Sequence, residues 1–181
     1  EYYKGIFTIL SSCASRQLEE VTFRRTVIPV QELLDAAGKY FKKLMKNRPE
    51  RIELEIESME AKVIGDVNQL RFLLENLIDE ALTVREDGVI RLQARKDNEY
   101  IRFLFTDTRR EKSVEELNQL FYPNLARMTS GEKGELRGTE YLVCKQIIRD
   151  HDEFAGRRGC RINAEPAEGG GFTVYFTIPR R

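Results

Sequence analysis

Apolar residues recur along this chain with two spacings, and the alternation between them lays out its elements. Over residues 1 to about 20, Tyr3, Ile6, Phe7, Leu10 and Leu18 stand mostly three or four apart, as an amphipathic helix requires. Thr22 to Ile28 is short and β-branched, and Pro29 follows it, which predicts a strand feeding a helix start. From Val30 to about Lys46, Leu33, Leu34, Ala37, Tyr40, Phe41 and Leu44 return to helical spacing, and Pro49 closes the segment. Ile52, Leu54 and Ile56 then alternate strictly with acidic neighbours, a strand period. Ala61 to Ile64 is expected to pair with that strand across the Ser58–Glu60 turn.

Asp66 to about Val84 is helical again through Leu70, Leu73, Leu74, Leu77, Ile78 and Ala81. Two alternating runs follow, Ile90–Ala94 and Ile101–Phe105, and the Asp97-Asn98 turn signal between them marks a hairpin. Ser113-Val114-Glu115-Glu116 has the pattern of a capping box and opens a short helix through Leu120. Residues 122–138 carry Pro123, Gly131, Gly134 and Gly138 without periodicity, and a loop of that length is usually functional. A helix through Leu142, Val143, Ile147 and Ile148 and a hairpin of Cys160–Ala164 with Phe172–Ile178 complete the chain. Hairpins interleaved with amphipathic helices predict an α+β two-layer sandwich, a mixed and mostly antiparallel sheet covered on one face by helices.

Composition narrows the function classes. Thirty basic and thirty acidic side chains cancel, which argues against a nucleic-acid partner, since such proteins normally present a net basic face. No apolar run reaches the roughly 18 residues of a membrane span. The opening Glu1-Tyr2-Tyr3-Lys4 is neither an initiator methionine nor a secretory signal, so the chain is expected to be part of a longer protein, and a cytoplasmic part. Cys13, Cys144 and Cys160 form no C-x-x-C pair and read as free thiols. With one histidine, His151, a zinc site is not expected.

Several stretches resemble the boxes of sensor histidine kinases. Val63-Ile64-Gly65-Asp66-Val67-Asn68-Gln69-Leu70, continuing into Leu74-Glu75-Asn76-Leu77-Ile78-Asp79-Glu80-Ala81, resembles the entry to their N-box helix. Thr106-Asp107 at the end of an apolar strand is similar to the Asp-x-Gly-x-Gly motif, and Leu120-Phe121-Tyr122-Pro123 to the phenylalanine box. Gly138-Thr139-Glu140-Tyr141 stands where Gly-Leu-Gly-Leu belongs, and Gly169 to Pro179 resembles the closing strand. The resemblance runs from about Thr22 to Pro179 in the family's order. It implies a Bergerat-type ATP-binding domain over 21–181, of the superfamily shared with gyrase and chaperones. It also implies that 1–20 is the tail of a dimerisation helix.

The same resemblance assigns roles, and here the sequence departs from the pattern. The remnant nucleotide site comprises Asn76, Glu80, Asp107, Gly138 and Thr139. Glu80 stands at the magnesium-coordinating asparagine, the one candidate metal ligand, because magnesium prefers hard oxygen donors; read without the family, it is a solvated glutamate. The family's lysine is Thr83. Asp107 corresponds to the residue that accepts from the adenine amino group, but Arg109 and Glu111 replace the glycines after it. Glycine serves where backbone must approach a ligand closely. By themselves Arg109 and Arg110 read as a solvated basic turn. Only Gly138 survives of the second glycine box, where Glu140 would repel a triphosphate by about 1 kcal/mol or more if partly buried. His151 is expected to be a helix C-terminal residue facing the dipole, not a phosphoacceptor.

Two readings of function stand. In one, the chain is a degenerate, pseudokinase-like signalling module with no catalytic residue and no cofactor, working through protein contacts. Its partners would be other domains of the same sensor, a response regulator, and a second copy through the N-terminal helix. In the other, it is an atypical active kinase domain that binds ATP and magnesium.

Overall fold

The computed structural model describes residues 23–123 and 138–181. The helix expected over residues 1–20, Cys13 and nearly all of the 122–138 loop lie outside the described residues. The described chain runs β1 (Thr26–Pro29), α1 (Val30–Met45), β2 (Ile52–Ile56), β3 (Lys62–Gly65), α2 (Val67–Ala81), β4 (Gly88–Asp97), β5 (Tyr100–Asp107), α3 (Val114–Asn118), α4 (Glu140–Phe154), β6 (Ile162–Pro166) and β7 (Phe172–Pro179). Five strands form one sheet in the order β2-β4-β5-β7-β6, and β1 and β3 form a separate pair. Every contact in the large sheet is antiparallel except β2–β4. The α+β sandwich with a mostly antiparallel sheet is therefore the fold. No helix among the described residues is long and apolar enough to cross a membrane.

The apolar stripes read from the sequence meet in one core. Leu70, Leu73, Leu74, Leu77 and Ile78 of α2 and Cys144, Ile147 and Ile148 of α4 are buried with Ile90, Leu92, Ile101, Phe103, Val174 and Phe176 of the sheet. Phe103 and Phe176 stack across adjacent strands with centroids 4.9 Å apart. Each such aliphatic or aromatic side chain contributes about 1.5–3 kcal/mol when fully buried. The short helix α3 begins at the expected capping box: Ser113 accepts from the Glu116 N–H, and Glu116 accepts from the Ser113 N–H. Cys144 and Cys160 are both free.

One expected strand pairing is wrong. β3 does not fold back on β2; it pairs antiparallel with β1, Val27 opposite Ile64, while β2 pairs parallel with β4. Side-chain complementarity accompanies the β2–β4 pairing, adding at most about 1 kcal/mol per exposed ion pair. The outward row of β2 is acidic, and β4 supplies its counterions: Arg91 reaches Glu55 at 3.0 Å and Arg95 reaches Glu57 at 2.7 Å. β3 has no such row to offer, and its Val63 is instead fully buried in the core.

The reading of His151 also changes. It is fully buried. Its Nε2 accepts from the Asp66 N–H at 3.1 Å, so Nδ1 carries the proton and donates to the Ile147 carbonyl at 2.8 Å. The ring is thus a neutral bolt between the last turn of α4 and the start of α2, where Asp66 accepts from the Asn68 and Gln69 N–H groups as N-cap. Gly65 is required there: a Cβ would stand 2.8 Å from the imidazole. Burial, opposed by the bond to Ile147 and the Asp66 charge, pulls the His151 pKa down to about 4.

The unfolded chain therefore binds this proton more tightly than the folded one, so stability is complete above the ordinary histidine pKa and falls as pH drops towards 4. Between pH 6.5 and 4.5 this group alone removes about 2 kcal/mol. Urea midpoints across that range should fall steeply for the native chain and more shallowly for His151→Gln. Equal slopes would contradict the buried neutral imidazole.

Candidate functional site

The site forms where β5 ends beneath the last turn of α2. Asp107 sits on a central strand, with Ile90 opposite on β4 and Phe172 opposite on β7, and its side chain is 1% exposed. A buried carboxylate needs partners to offset lost hydration. Arg109 and Arg110, in the turn that follows it, provide them.

Arg109 turns back on Asp107. Its backbone N–H and its Nε both donate to Oδ1 at 3.0 Å, and Nη2 donates to Oδ2 at 3.0 Å. The far side of the guanidinium donates to the carbonyls of Ala81, Val84 and Glu86 at 2.6, 2.8 and 2.9 Å. A guanidinium has five N–H donors, and all five are used. One of these carbonyls, Ala81, is the last of α2, where the helix end carries negative partial charge, and the other two belong to the segment that follows it, so the cation serves the carboxylate and the helix end together. Gly88, at φ +145°, makes room for the arginine stem: a Cβ there would lie 2.5 Å from Arg109 Cγ.

Arg110 bridges the two carboxylates. Its Nε donates to Asp107 Oδ2 at 3.0 Å, and its two terminal nitrogens donate to Glu80 Oε1 and Oε2 at 2.9 and 2.7 Å. The guanidinium also lies over the Phe172 ring, 5.2 Å from its centroid. The Tyr141 hydroxyl, from the first turn of α4, donates to Glu80 Oε2, and its ring meets Phe121 edge-on at 5.6 Å. Two carboxylates and two guanidiniums thus form a closed cluster of zero net charge tying α2, β5 and α4 together.

The electrostatics follow from burial and these bonds. Burial would raise the Asp107 carboxyl, but the bonds from Arg109 and the charges of Arg110 and Arg109 outweigh it and hold it below the usual carboxylate range. Burial would lower the Arg110 guanidinium, but Glu80 and its surroundings hold it firmly charged. Burial and the Glu80 charge push the Tyr141 phenol well above its ordinary value.

The expected site residues are therefore only partly brought together. Glu80 and Asp107 meet through Arg110. Asn76 lies one turn before Glu80, buried, and its amide donates to the Phe72 carbonyl at 2.8 Å. Gly138 has φ +77° and precedes Thr139, which occupies the N-cap of α4 without a side-chain cap bond; Glu140 opens the helix. Among the described residues, no group of three or more His, Cys, Asp or Glu side chains converges on a point where a metal ion could sit. The expectations of a solvated basic turn and a solvated Glu80 are both overturned: the Arg109 side chain is 1% exposed, those of Arg110 and Glu80 13%. Tyr141 and Glu111, which accepts from the Gly171 N–H at 3.0 Å, were not singled out as network members. The available signal was the pair of arginines directly after the motif aspartate.

Replacing Arg109 with alanine leaves Asp107 and three carbonyls without this partner, a loss expected to cost about 3–5 kcal/mol. Arg109→Lys, with three donors on a point charge, should recover less than half of it. Urea unfolding measures both. An alanine variant within about 1 kcal/mol of the native chain would contradict the cluster's structural role.

Residues 65–181 match the family described as "Histidine kinase-, DNA gyrase B-, and HSP90-like ATPase". Among solved structures, the nucleotide-free catalytic domain of histidine kinase ThkA is similar at 21% identity and a TM-score of 0.68, over 87% of this chain and 96% of that one. The mycobacterial sensor histidine kinase MprB is similar at 18% identity and 0.66, over 87% and 99%. ThkA in complex with the response regulator TrrA is similar at 19% identity and 0.66, over 98% and 49%. No curated protein sequence matches. The structural similarity to these proteins shows a shared fold, and the family match covers most of the chain; the chain belongs to the histidine kinase-, DNA gyrase B- and HSP90-like ATPase family.

Proposed function

We propose that this chain is a histidine-kinase-type ATPase domain in which internal arginines have taken over the nucleotide site, so that it signals through protein contacts and not by phosphoryl transfer. One observation carries the reading: both oxygens of Asp107, the residue matching the family's adenine acceptor, are held by Arg109 and Arg110. A nucleobase would have to displace a guanidinium whose five donors are all satisfied. Glu80, at the position of the magnesium ligand, gives both oxygens to Arg110. A divalent cation there would have to break a charge-assisted bidentate pair, among the stronger protein hydrogen bonds.

In this reading Asn76, Glu80, Asp107, Gly138 and Thr139 are remnants of the ancestral site, and no ATP or magnesium is held. Residues 21–181 are the domain, and 1–20 the tail of a dimerisation helix through which two copies associate. The natural partners are the other domains of a cytoplasmic sensor region and, as for ThkA with TrrA, a response regulator. The arginine cluster keeps the family's three site-forming elements in a fixed arrangement without a ligand. That constancy suits a domain used as a contact surface.

The test is calorimetry and thermal unfolding with Mg-ATP. A site with a Kd of ~100 μM, about −5.5 kcal/mol, would raise stability by about 2 kcal/mol at ~5 mM nucleotide, and Tm by several degrees. No saturable heat and a Tm unmoved within a degree are expected. Binding tighter than ~100 μM that depends on magnesium and is lost in Asp107→Asn would establish the active-kinase reading instead.

A further inference from the structure

β2 is an edge strand, and its free side adjoins a groove. Within β2, backbone direction alternates. The Glu57 N–H donates to the Leu92 carbonyl and the Gly88 N–H donates to the Arg51 carbonyl, so the odd-numbered residues 51–57 face β4. Ile52, Leu54 and Ile56 therefore present their N–H and C=O groups to the other side, where no described strand lies. A row of unpaired backbone groups is a template for an added strand. Beside it, between β2 and α1, runs a groove of about 750 Å³ in which Leu34, Phe41, Leu54 and Ile56 form the apolar part and Asp35, Lys39 and Lys42 of α1 a charged part. Leu54 and Ile56 are only half-buried.

We propose that this edge receives an extended peptide segment of a partner protein, added as a sixth strand, whose residues alternate apolar and basic. Pleating dictates the pattern. Alternate side chains of an added strand fall to the helix side, into the groove, where apolar groups fit. The others fall on the open face beside the acidic row. There Glu55 and Glu57 bind Arg91 and Arg95 of β4, but Glu53 is exposed and has no ion pair among the described residues. β4 itself shows the chemistry that satisfies this row from its opposite side: Ile90, Leu92 and Ala94 inward, Arg91, Gln93 and Arg95 outward. A second copy of β2 is the wrong occupant, because two acidic rows would then lie side by side, and like charges across strands repel. Strand addition of this kind draws affinity from main-chain bonds and specificity from alternate side chains.

The probe is a fluorescent peptide reproducing Val89–Lys96, with a control of the same composition whose apolar and basic residues are grouped in blocks. Fluorescence anisotropy should show saturable binding of the first at least ten-fold tighter than the second. Hydrogen exchange of the complex should slow at the Leu54 and Ile56 amides and leave the Glu55 amide unchanged. Leu54→Pro removes the outward N–H while sparing the bonds to β4 and should abolish binding. Glu53→Lys, which leaves the core untouched, should weaken it roughly three- to ten-fold. The proposal fails if the alternating peptide does not bind by ~1 mM, if both peptides bind alike, or if binding leaves those two amides and the Glu53→Lys variant unaffected. A concentration-dependent dimer lost in Leu54→Pro would identify the occupant as a second copy and equally overturn it.

Discussion

The arrangement of this domain turns on a carboxylate that folding takes out of water. Asp107 lies on an inner strand, flanked by β4 and β7, where an isolated charge would be strongly disfavoured. Its partners are Arg109 and Arg110. Once the first guanidinium is drawn to Asp107, its remaining donors need acceptors, and the carbonyls of Ala81, at the end of α2, and of Val84 and Glu86 beyond it provide them. The second draws in Glu80, and Glu80 draws in Tyr141. Each residue's place follows from the unmet need of the previous one.

Such a cluster specifies geometry more than it adds stability. Replacing a buried ion network with apolar groups of similar volume is often neutral, whereas removing one member is costly. The cluster therefore fixes how α2, β5 and α4 meet and penalises its own partial loss. A similar division holds at the opposite end of α2, where neutral His151 joins the Asp66 cap to α4. α2 is tied at both ends by polar contacts and along its length by leucines. The turn after Asp107 thereby ties the end of α2 to the central strand β5.

Much of the fold was legible because local rules decide it. The β4–β5 hairpin follows from alternation on both sides of Asp97-Asn98, with Asn98 at φ +55°, and the Ser113 capping box needs only residues three apart. The partner of β3 was not legible, because alternation reveals a strand without naming its neighbour. β2 instead lies beside β4, where Glu55 and Glu57 meet Arg91 and Arg95, more than thirty residues away. At the candidate site the sequence marked Asp107, Glu80 and the missing glycines. It could not show that Arg109 is buried, since nothing local distinguishes an arginine in a solvated turn from one whose donors meet a buried carboxylate and three carbonyls more than twenty residues away. His151 was misjudged for the same reason: its position in α4 was plain, but the Asp66 N–H it accepts from is 85 residues distant.

The central claim is that the Arg109 guanidinium, and not a ligand, occupies the face of Asp107. NMR of the arginine side chains reads this directly. The Arg109 Nε–H should exchange slowly with solvent, should show a hydrogen-bond coupling to the Asp107 carboxyl carbon, and should keep its shift on addition of Mg-ATP. A rapidly exchanging Arg109 Nε–H, or one displaced by nucleotide together with the Asp107 carboxyl resonance, would contradict the account.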